Sequence, residues 1–223
     1  MKLASCWGEV KVWEPATGRE VRSFRQDLPV RTACWGPDGR RLAAVCAAPD
    51  GNGEVKVWDA TSGQQLLALA LPSPRALAID PTGTRLAVVH GLGASVHDAA
   101  TGRELVACPS LVGAAVAYSP DGSRLAGVGE AGIVLLEAGT GRVLLNLRGH
   151  AGAATGLAFS PDGERLASCG SDKLVKVWDA RSGEEVLTLK GHAAPITGVA
   201  FSPDGKRLAS ASLDHTVRVW VAE

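Results

Sequence analysis

Two sets of side chains combine the residue types that a serine hydrolase uses. They share one spacing, 18 residues from His to Ser and 4 from Ser to Asp; the sets are His150, Ser168, Asp172 and His192, Ser210, Asp214. In a hydrolase the Asp orients the His, and the His removes the proton of the Ser as it attacks a carbonyl. A catalytic site is normally needed once per chain, but this arrangement occurs twice, and a Trp follows each Asp after 6 residues. The duplication therefore favours a structural role for both sets.

Other motifs of enzyme chemistry are missing from the sequence. It contains no Gly-x-Ser-x-Gly elbow, no P-loop and no kinase motif. Its His, Cys, Asp and Glu residues form no cluster with the spacing of metal ligands, so we predict neither a metal nor another cofactor. Five cysteines without a Cys-x-x-Cys pair favour small buried apolar residues over disulfides; they are Cys6, Cys34, Cys46, Cys108 and Cys169. We therefore predict a protein that is not an enzyme.

The overall composition argues against several classes of partner. The 223 residues include 23 Lys and Arg and 23 Asp and Glu, so the formal net charge is zero and no nucleic-acid partner is expected. The hydrophobic share of 46% is typical of a globular chain. The longest strongly apolar run, residues 66–71, is too short to span a membrane, and the N-terminus has no signal-peptide pattern. We expect a cytoplasmic protein without a membrane partner.

Three sequence markers recur in the same order with a period of about 41 residues. The first is the end of a segment similar to Val-Lys-Val-Trp; its copies end at Trp13, Trp58, His97, Leu136, Trp178 and Trp220. A Pro-Asp-Gly or Pro-Thr-Gly turn precedes each of the last five copies, and Thr-Gly or Ser-Gly follows each of the first five. Three markers at one period indicate a repeat architecture.

Each repeat predicts four short strands, which we label a, b, c and d. In the last full repeat they cover residues 154–159, 165–169, 174–178 and 184–189. The segments are rich in Val, Leu and Ala and are too short for helices. Pro and Gly in the turn after strand a favour a tight hairpin. The pattern predicts an all-β fold made of four-stranded antiparallel sheets.

The last two repeats resemble the WD-repeat β-propeller family. Gly149-His150 begins one and Gly191-His192 begins the other, and each continues with Phe-Ser-Pro-Asp-Gly, Leu-Ala-Ser, an Asp and Val-(Lys/Arg)-Val-Trp. The resemblance covers nearly the whole chain and is strongest over residues 148–222. It implies a β-propeller of about six four-stranded blades, of which the first and last are incomplete.

The resemblance also implies a hydrogen-bonded tetrad of His, Ser, Asp and Trp inside each of these two blades. The predicted tetrads are His150, Ser168, Asp172, Trp178 and His192, Ser210, Asp214, Trp220. Earlier repeats depart from the pattern at Gln26, Ala44 and Asn52 in the second, at Gly91 and His97 in the third, and at Glu130 and Leu136 in the fourth. We expect these repeats to depend on apolar packing and to be less stable than the last two.

The predicted domain is a single propeller over residues 1–223. The first repeat begins at strand b and the last ends at strand c, which gives 22 predicted strands against 24 for six complete blades. We therefore expect a part of a longer propeller, and self-association through the unfinished blades.

The family resemblance implies a protein-interaction scaffold that binds peptides or protein surfaces on the propeller faces. The alternative is a sensory or substrate-docking module of a larger multidomain enzyme, such as a protein kinase or protease; catalytic motifs in a longer reading frame would favour it. The d–a and b–c loops would form one face of the propeller, the top face. The longest b–c loop contains an inserted run at residues 47–53, which is either a loop that contacts a partner or a tolerated insertion at a surface tip. Candidate contacts on the top face are Gln26, Asp50, Asn52, Glu130, Lys173, Leu213 and His215.

A second candidate surface lies at the a–b turns. Five arginines each follow the turn Gly by two residues; they are Arg41, Arg85, Arg124, Arg165 and Arg207. A propeller would arrange them as a ring on the opposite face, where they could bind an acidic partner. The alternative is that they pair with the neighbouring turn aspartates and contribute their stems to packing.

Overall fold

The chain forms an all-β structure in the computed structural model, which describes residues 3–7 and 9–221. Side chains are described at Ala4 and over residues 9–221, so the predicted burial of Cys6 lies outside the described side chains. The described residues form 22 strands and no helix, and none of them could cross a membrane as a helix. The predicted all-β class is confirmed.

The chain divides into two compact units, of which the first is Met1–Pro109. It contains three sheets, numbered in chain order. Sheet 1 is β1 (Leu3–Trp7), β2 (Glu9–Glu14) and β3 (Arg19–Arg25). Sheet 2 is β4 (Val30–Trp35), β5 (Arg41–Ala47), β6 (Asn52–Asp59) and β7 (Gln65–Pro72). Sheet 3 is β8 (Ala76–Ile79), β9 (Arg85–His90), β10 (Gly93–Asp98) and β11 (Glu104–Cys108).

The second unit is Ser110–Glu223 and also contains three sheets. Sheet 4 is β12 (Val116–Tyr118), β13 (Arg124–Gly129), β14 (Gly132–Glu137) and β15 (Val143–Leu147). Sheet 5 is β16 (Ala154–Phe159), β17 (Arg165–Gly170), β18 (Leu174–Asp179) and β19 (Glu185–Lys190). Sheet 6 is β20 (Ile196–Phe201), β21 (Arg207–Ser212) and β22 (Val217–Val221).

Every sheet is a meander in which each strand pairs antiparallel with the next strand along the chain. The predicted four-stranded antiparallel sheets are confirmed in sheets 2 to 5. In sheet 5 strand d begins at Glu185, one residue later than predicted. The reason is that the Asp179 N–H donates to the Glu184 carbonyl at 2.9 Å, which places Glu184 in the c–d turn.

The a–b turns are stabilised by their own polar side chains. In sheet 5 the Ser160 hydroxyl donates to Asp162 and accepts from the Arg165 N–H at 2.9 Å. Gly163 has φ +73°, in the left-handed region that favours glycine, and its N–H donates to the Ser160 carbonyl. The Ser-Pro-Asp-Gly sequence therefore closes the hairpin between strands a and b.

The cores lie between neighbouring sheets within each unit, and the b strands contribute to two of them. Leu42 and Ala44 of β5 pack in the core that also contains Val10 and Val12 of β2. Ala43, the residue between them, packs in a different core with sheet 3. All of these side chains are fully buried. Since alternate strand residues point to opposite faces, a continuous apolar run here means that both faces of the strand are covered.

Each described d strand that pairs with a c strand contains a β-bulge next to the c–d turn. The bulge adds one unpaired residue; these residues are Val21, Leu66, Leu105, Leu144 and Val186. All five side chains are between 37% and 60% exposed, although they are large and apolar. Strand d is the outer strand of its sheet, and a bulge at an edge hinders pairing with a strand from another molecule. The exposed apolar residues therefore mark the bulges.

The cores predict a contrast between two leucines of sheet 4. Leu135 on β14 is fully buried, whereas Leu144 is the bulge residue on β15 and is 37% exposed. Leu135→Ala should lower the free energy of unfolding by about 2–5 kcal/mol, because it leaves a cavity. Leu144→Ala should lower it by less than about 1 kcal/mol. Urea denaturation of both variants measures the difference, and equal losses would contradict the assigned core.

Candidate functional site

The two ends of the sheets carry different connections. We call the end with the d–a and b–c connections the loop end, and the end with the a–b and c–d connections the turn end. Most of the polar networks include residues at one of these two ends, because the middles of the b and c strands are buried. The side chains of these networks are the candidates for function.

In sheet 5 the residues His150, Ser168, Asp172 and Trp178 form one continuous hydrogen-bonded chain. The His150 Nδ1 lies 2.8 Å from Asp172 Oδ2, and His150 Nε2 lies 2.7 Å from Ser168 Oγ. The Trp178 Nε1–H donates to the same Ser168 Oγ at 2.8 Å. Because the Ser oxygen accepts from the indole, its hydroxyl proton is available to His150 Nε2, and the His Nδ1–H donates to the carboxylate.

This arrangement contains the contacts of a hydrolase triad but cannot act on a substrate. The Ser168 side chain is fully buried, and its oxygen is occupied by both His150 and Trp178. A nucleophile must reach the carbonyl carbon that it attacks. The chain of bonds instead joins the d–a loop, which contains His150, to strands b and c.

Sheet 6 repeats the same geometry. The His192 Nδ1 lies 2.8 Å from Asp214 Oδ2, and His192 Nε2 lies 2.9 Å from Ser210 Oγ. The Trp220 Nε1–H donates to Ser210 Oγ at 2.9 Å. Ser210 is only 1% exposed. The second set is therefore also closed to a substrate.

The carboxylates of both sets also bind backbone N–H groups. Asp172 accepts from the Ala151 N–H of the d–a loop at 3.0 Å and from the Leu174 N–H of the b–c turn at 3.2 Å. Asp214 accepts from Ala193 in the same way, at 2.9 Å. The Thr216 hydroxyl, followed by the Ala193 N–H and His192, holds the pKa of Asp214 well below its usual range. Each Asp therefore joins the two connections at the loop end.

Sheet 3 contains a different polar chain, centred on Ser95. His90 Nε2 lies 3.0 Å from Ser95 Oγ, and the same oxygen lies 2.7 Å from His97 Nε2. His97 Nδ1 lies 3.1 Å from the Gly102 carbonyl. The sequence reasoning named His97 as a substitute for Trp but missed Ser95. The available signal was that Ser95 and His97 are two residues apart on a strand and so share a face.

The remaining departures from the motif have different surroundings. In sheet 2, Trp58 packs on Phe24 with ring centroids 5.2 Å apart. Asn52 bonds Asp50, and the buried Gln26 Oε1 has no hydrogen-bond partner among the described residues. Asn52 in the Asp position and Gln26 in the His position are therefore not joined by a hydrogen bond. In sheet 4, Leu136 is fully buried and supplies only apolar contacts.

A buried lysine beside the tetrad of sheet 5 was missed from the sequence. Lys176 is 6% exposed, and its Nζ donates to Glu185 at 2.7 Å and to Thr188 at 2.9 Å on strand d. It also lies 6.0 Å from the centroid of the Trp178 ring. The signal was its position two residues before Trp, which puts both side chains on one face. The ion pair lowers the pKa of Glu185 and joins strands c and d.

The predicted top-face residues lie at the loop end, in its connections or, for Asn52, at the start of β6, but their surroundings differ. Lys173 and His215 are exposed and have φ of +68° and +66° in their b–c turns. Leu213 is 60% exposed. Glu130 is exposed in the b–c turn of sheet 4. These four side chains are accessible to a partner.

The inserted run of sheet 2 is held by hydrogen bonds. The Ser73 N–H donates to the Gly51 carbonyl at 2.7 Å, and the Ala48 N–H donates to the Asn52 carbonyl at 2.8 Å. Asp50 accepts from both the backbone and the side chain of Asn52, and these bonds lower its pKa. The run is therefore an ordered extension of the b–c hairpin.

A hollow of about 550 Å³ lies at the loop end between sheets 4 and 5. Its wall includes the b–c turn of sheet 4, with Glu130, and the d–a loop that carries His150. Four glycines contribute to its lining; they are Gly113, Gly129, Gly132 and Gly152. Val112, Ala131 and Ala151 supply apolar surface, whereas Ile133 and Leu147 behind them are only 1% and 2% exposed. The hollow combines glycines with apolar and acidic side chains.

The five turn-end arginines are not equivalent. Arg41 donates to the Gly83 carbonyl at 2.7 Å, and Arg124 donates to the Ala180 carbonyl at 2.5 Å, so each joins its sheet to the next one. Arg85 pairs with Asp80 at 3.2 Å within its own turn. Arg165 and Arg207 are exposed. Two of the five guanidinium groups are therefore inter-sheet links.

The neighbouring turn aspartates mostly bind their own turns. Among the described residues no ion pair joins these arginines to Asp38, Asp121, Asp162 or Asp204. The Ser119 and Ser123 hydroxyls lower the pKa of Asp121 to about 2. Because this pKa is depressed, the carboxylate stabilises the fold at neutral pH, and that contribution is lost as the pH falls from about 4. Among the side chains that the structure describes, at Ala4 and residues 9–221, no group of three or more metal-ligating residues is found.

Together, the repeated antiparallel sheets and their internal His, Ser, Asp and Trp contacts define a repeat protein of the β class. Residues 18–59, 141–179 and 183–221 match the family model described as WD domain, G-beta repeat. These segments cover more than half of the chain, which belongs to the WD-repeat family. A search of curated proteins found no match. WD repeats generally mediate protein–protein interaction, and domains made of them are typically non-catalytic.

The matched segments do not coincide with the sheets. Residues 18–59 run from β3 through β6, and residues 183–221 run from β19 through β22. Each sequence repeat therefore contains strand d of one sheet and strands a, b and c of the next. All three matched segments contain the terminal Trp of the motif, and they end one residue after it.

Removal of the Asp in sheet 5 should destabilise the protein. Asp172→Ala leaves His150 and the Ala151 N–H without their acceptor, so the free energy of unfolding should fall by about 3–5 kcal/mol. Thermal or urea denaturation measures this loss. The control is Lys173→Ala, which changes an exposed neighbour and should have little effect. An unchanged stability of Asp172→Ala would contradict the structural role of the tetrad.

The turn-end arginines provide a matched pair for a second test. Arg124→Ala removes the bond to the Ala180 carbonyl and should lower the free energy of unfolding by about 1.5–3 kcal/mol. Arg165→Ala changes the equivalent position of the next sheet, where the side chain is exposed, and should cost about 0.5 kcal/mol or less. Chemical denaturation compares them. If both variants lose the same stability, the link assigned to Arg124 is wrong.

Proposed function

We propose that the chain belongs to a β-propeller of about six blades and acts as a non-catalytic scaffold that binds peptides or protein loops at its loop end. The observation that carries this proposal is the hollow between sheets 4 and 5. Its volume of about 550 Å³ is within the range of ligand pockets, which is about 300–1,000 Å³. Membership of the WD-repeat family supports a protein partner.

The lining of the hollow suits a peptide with an aliphatic and a basic side chain. A Cβ atom at any of the four lining glycines would lie within 3 Å of other atoms of this chain, such as Val128 beside Gly113, so the glycines let the connections around the hollow pack closely. Val112, Ala131 and Ala151 can contact an apolar side chain of the peptide. His150 also lines the hollow, but its two ring nitrogens are already bonded to Asp172 and Ser168.

Glu130 gives the proposed partner a charge preference. It is exposed in the b–c turn and contributes a carboxylate to the lining. A Lys or Arg of the peptide placed beside it would form an ion pair at the rim of the interface. Such a pair contributes to selectivity and association rate more than to affinity. We therefore propose a peptide that combines an aliphatic anchor with a basic residue.

The other parts of the proposal concern the whole assembly. A single propeller domain within a longer propeller, a cytoplasmic location and self-association through the unfinished blades remain predictions from the sequence.

Selection of peptides from a displayed library on the immobilised protein tests the proposed site. The selected peptides should be enriched in Lys or Arg next to an aliphatic residue. Glu130→Arg should weaken their binding by about tenfold, which is about 1.4 kcal/mol, in isothermal titration calorimetry. In NMR spectra the bound peptide should shift the amides of Ala131 and Ala151, which line the hollow.

Glu164→Arg provides the matched control. It makes the same charge change at an exposed turn-end position of the same unit. Binding should be unaffected by this variant. Equal weakening by both variants would show a general charge effect, and shifts confined to the turn end would place the site elsewhere; either result would contradict the proposal.

A further inference from the structure

The polar chain in sheet 3 runs from one connection of the sheet to another. At the loop end the Leu92 N–H donates to His90 Nδ1 at 3.3 Å. The chain continues through His90 Nε2, Ser95 and His97 Nε2, and His97 Nδ1 contacts the Gly102 carbonyl of the c–d turn. Four hydrogen bonds therefore connect the b–c turn with the c–d turn.

Both ends of this chain determine where its protons lie. The Leu92 N–H is a donor, so His90 Nδ1 must be without a proton and His90 Nε2 must carry one. The Gly102 carbonyl is an acceptor, so His97 Nδ1 must carry a proton and His97 Nε2 must be without one. His90 therefore donates to Ser95, and the Ser95 hydroxyl donates to His97. No other arrangement of neutral rings satisfies all four bonds.

An additional proton must reverse or break a bond of this chain. On His97 it would occupy Nε2 and reverse the bond to Ser95, whose hydroxyl proton would lose its acceptor, and it would place a charge where Ser95 is 2% and His97 3% exposed. On His90 it would occupy Nδ1, where it would face the Leu92 N–H as a second donor. His90 is partly exposed, so water reaches it more easily.

We propose that sheet 3 contains an acid-sensitive switch: a proton taken up at His90 Nδ1 breaks the bond from the Leu92 N–H and frees Leu92 to move within the b–c turn. The Gly91 N–H still donates to the Pro72 carbonyl at 2.7 Å, and Gly93 still pairs with His90, so the movement is confined to Leu92. The Leu92 side chain is apolar and 79% exposed, so its movement changes the apolar surface at the loop end. The switch is independent of the proposed function, because it involves neither the hollow nor a partner.

The electrostatic surroundings of His90 give the direction of the effect. Burial, followed by the neighbouring His97 on β10, lowers the pKa of His90, while Glu104 on β11 raises it to a smaller extent. Burial raises the pKa of the other β11 group, Cys108, to about 11, so this thiol is neutral. Strand β8 carries no titratable side chain. From the loop before β8, the Arg75 N–H donates to the Val89 carbonyl beside His90.

A lowered pKa means that the closed turn prefers neutral His90. The turn is therefore fully stabilised above the ordinary His pKa of about 6.5, and the stabilisation is lost as the pH falls below that value. The equilibrium constant for opening should rise by up to about tenfold per pH unit until the pKa of the closed form is reached.

NMR spectroscopy of the full chain tests the switch. At neutral pH the ring nitrogens should show a proton on Nε2 of His90 and on Nδ1 of His97. Amide exchange should then show that protection of Leu92 decreases between about pH 7.5 and 5, together with the titration of His90. The reference is Leu174, whose N–H donates to Asp172 in a b–c turn of sheet 5 and whose protection should stay constant.

Two histidine variants complete the test. His90→Gln should remove the pH dependence of Leu92 protection, because the side chain no longer titrates. His215→Gln changes an exposed histidine in another b–c turn and should leave it intact. The opposite tautomer on either ring of the wild-type protein, or Leu92 protection that does not follow the His90 titration, would overturn the proposal even if His90→Gln failed to fold.

Discussion

Alternate residues of the b strands pack into two different cores, and this double burial constrains much of the remaining structure. In β5, Leu42 and Ala44 face one neighbouring sheet and Ala43 and Val45 face the other. In β17, Leu166 and Ala167 divide in the same way. Such a strand has no solvent-facing side, so its polar groups must be satisfied inside the sheet or at its ends. The small Ala residues permit close approach of both neighbours.

The polar chains of sheets 3, 5 and 6 satisfy this requirement in two ways. In sheets 5 and 6 an Asp at the loop end accepts from His and backbone, and Ser and Trp continue the chain into the core. In sheet 3 two histidines surround one Ser, and no carboxylate takes part. The His of sheets 5 and 6 is therefore bonded to a carboxylate, whereas the chain of sheet 3 ends on a backbone N–H and a backbone carbonyl. The same structural position is satisfied by different chemical groups in different sheets.

Much of this architecture could be predicted from local sequence signals. The Pro-Asp-Gly turns and the period of the Trp positions predicted the four-stranded sheets, and the motif named the residues of the two tetrads. Local signals could not predict the β-bulges, because Leu144 and Leu145 look alike in sequence and differ only in pairing. Ser95 was missed because no motif contains it. The different contacts of Arg124 and Arg165 depend on the adjoining sheet, which a single repeat does not reveal.

The offset between sequence repeats and sheets has a consequence for how such a chain can change in length. A tandem duplication of one sequence repeat adds a strand d that completes the preceding sheet and three strands that begin a new one. No sheet is divided at the junction, since the incoming segment supplies the outer strand that its predecessor needs. Growth by whole repeats therefore preserves every hairpin register, and the hydrogen bonds across each junction make neighbouring repeats depend on one another for folding.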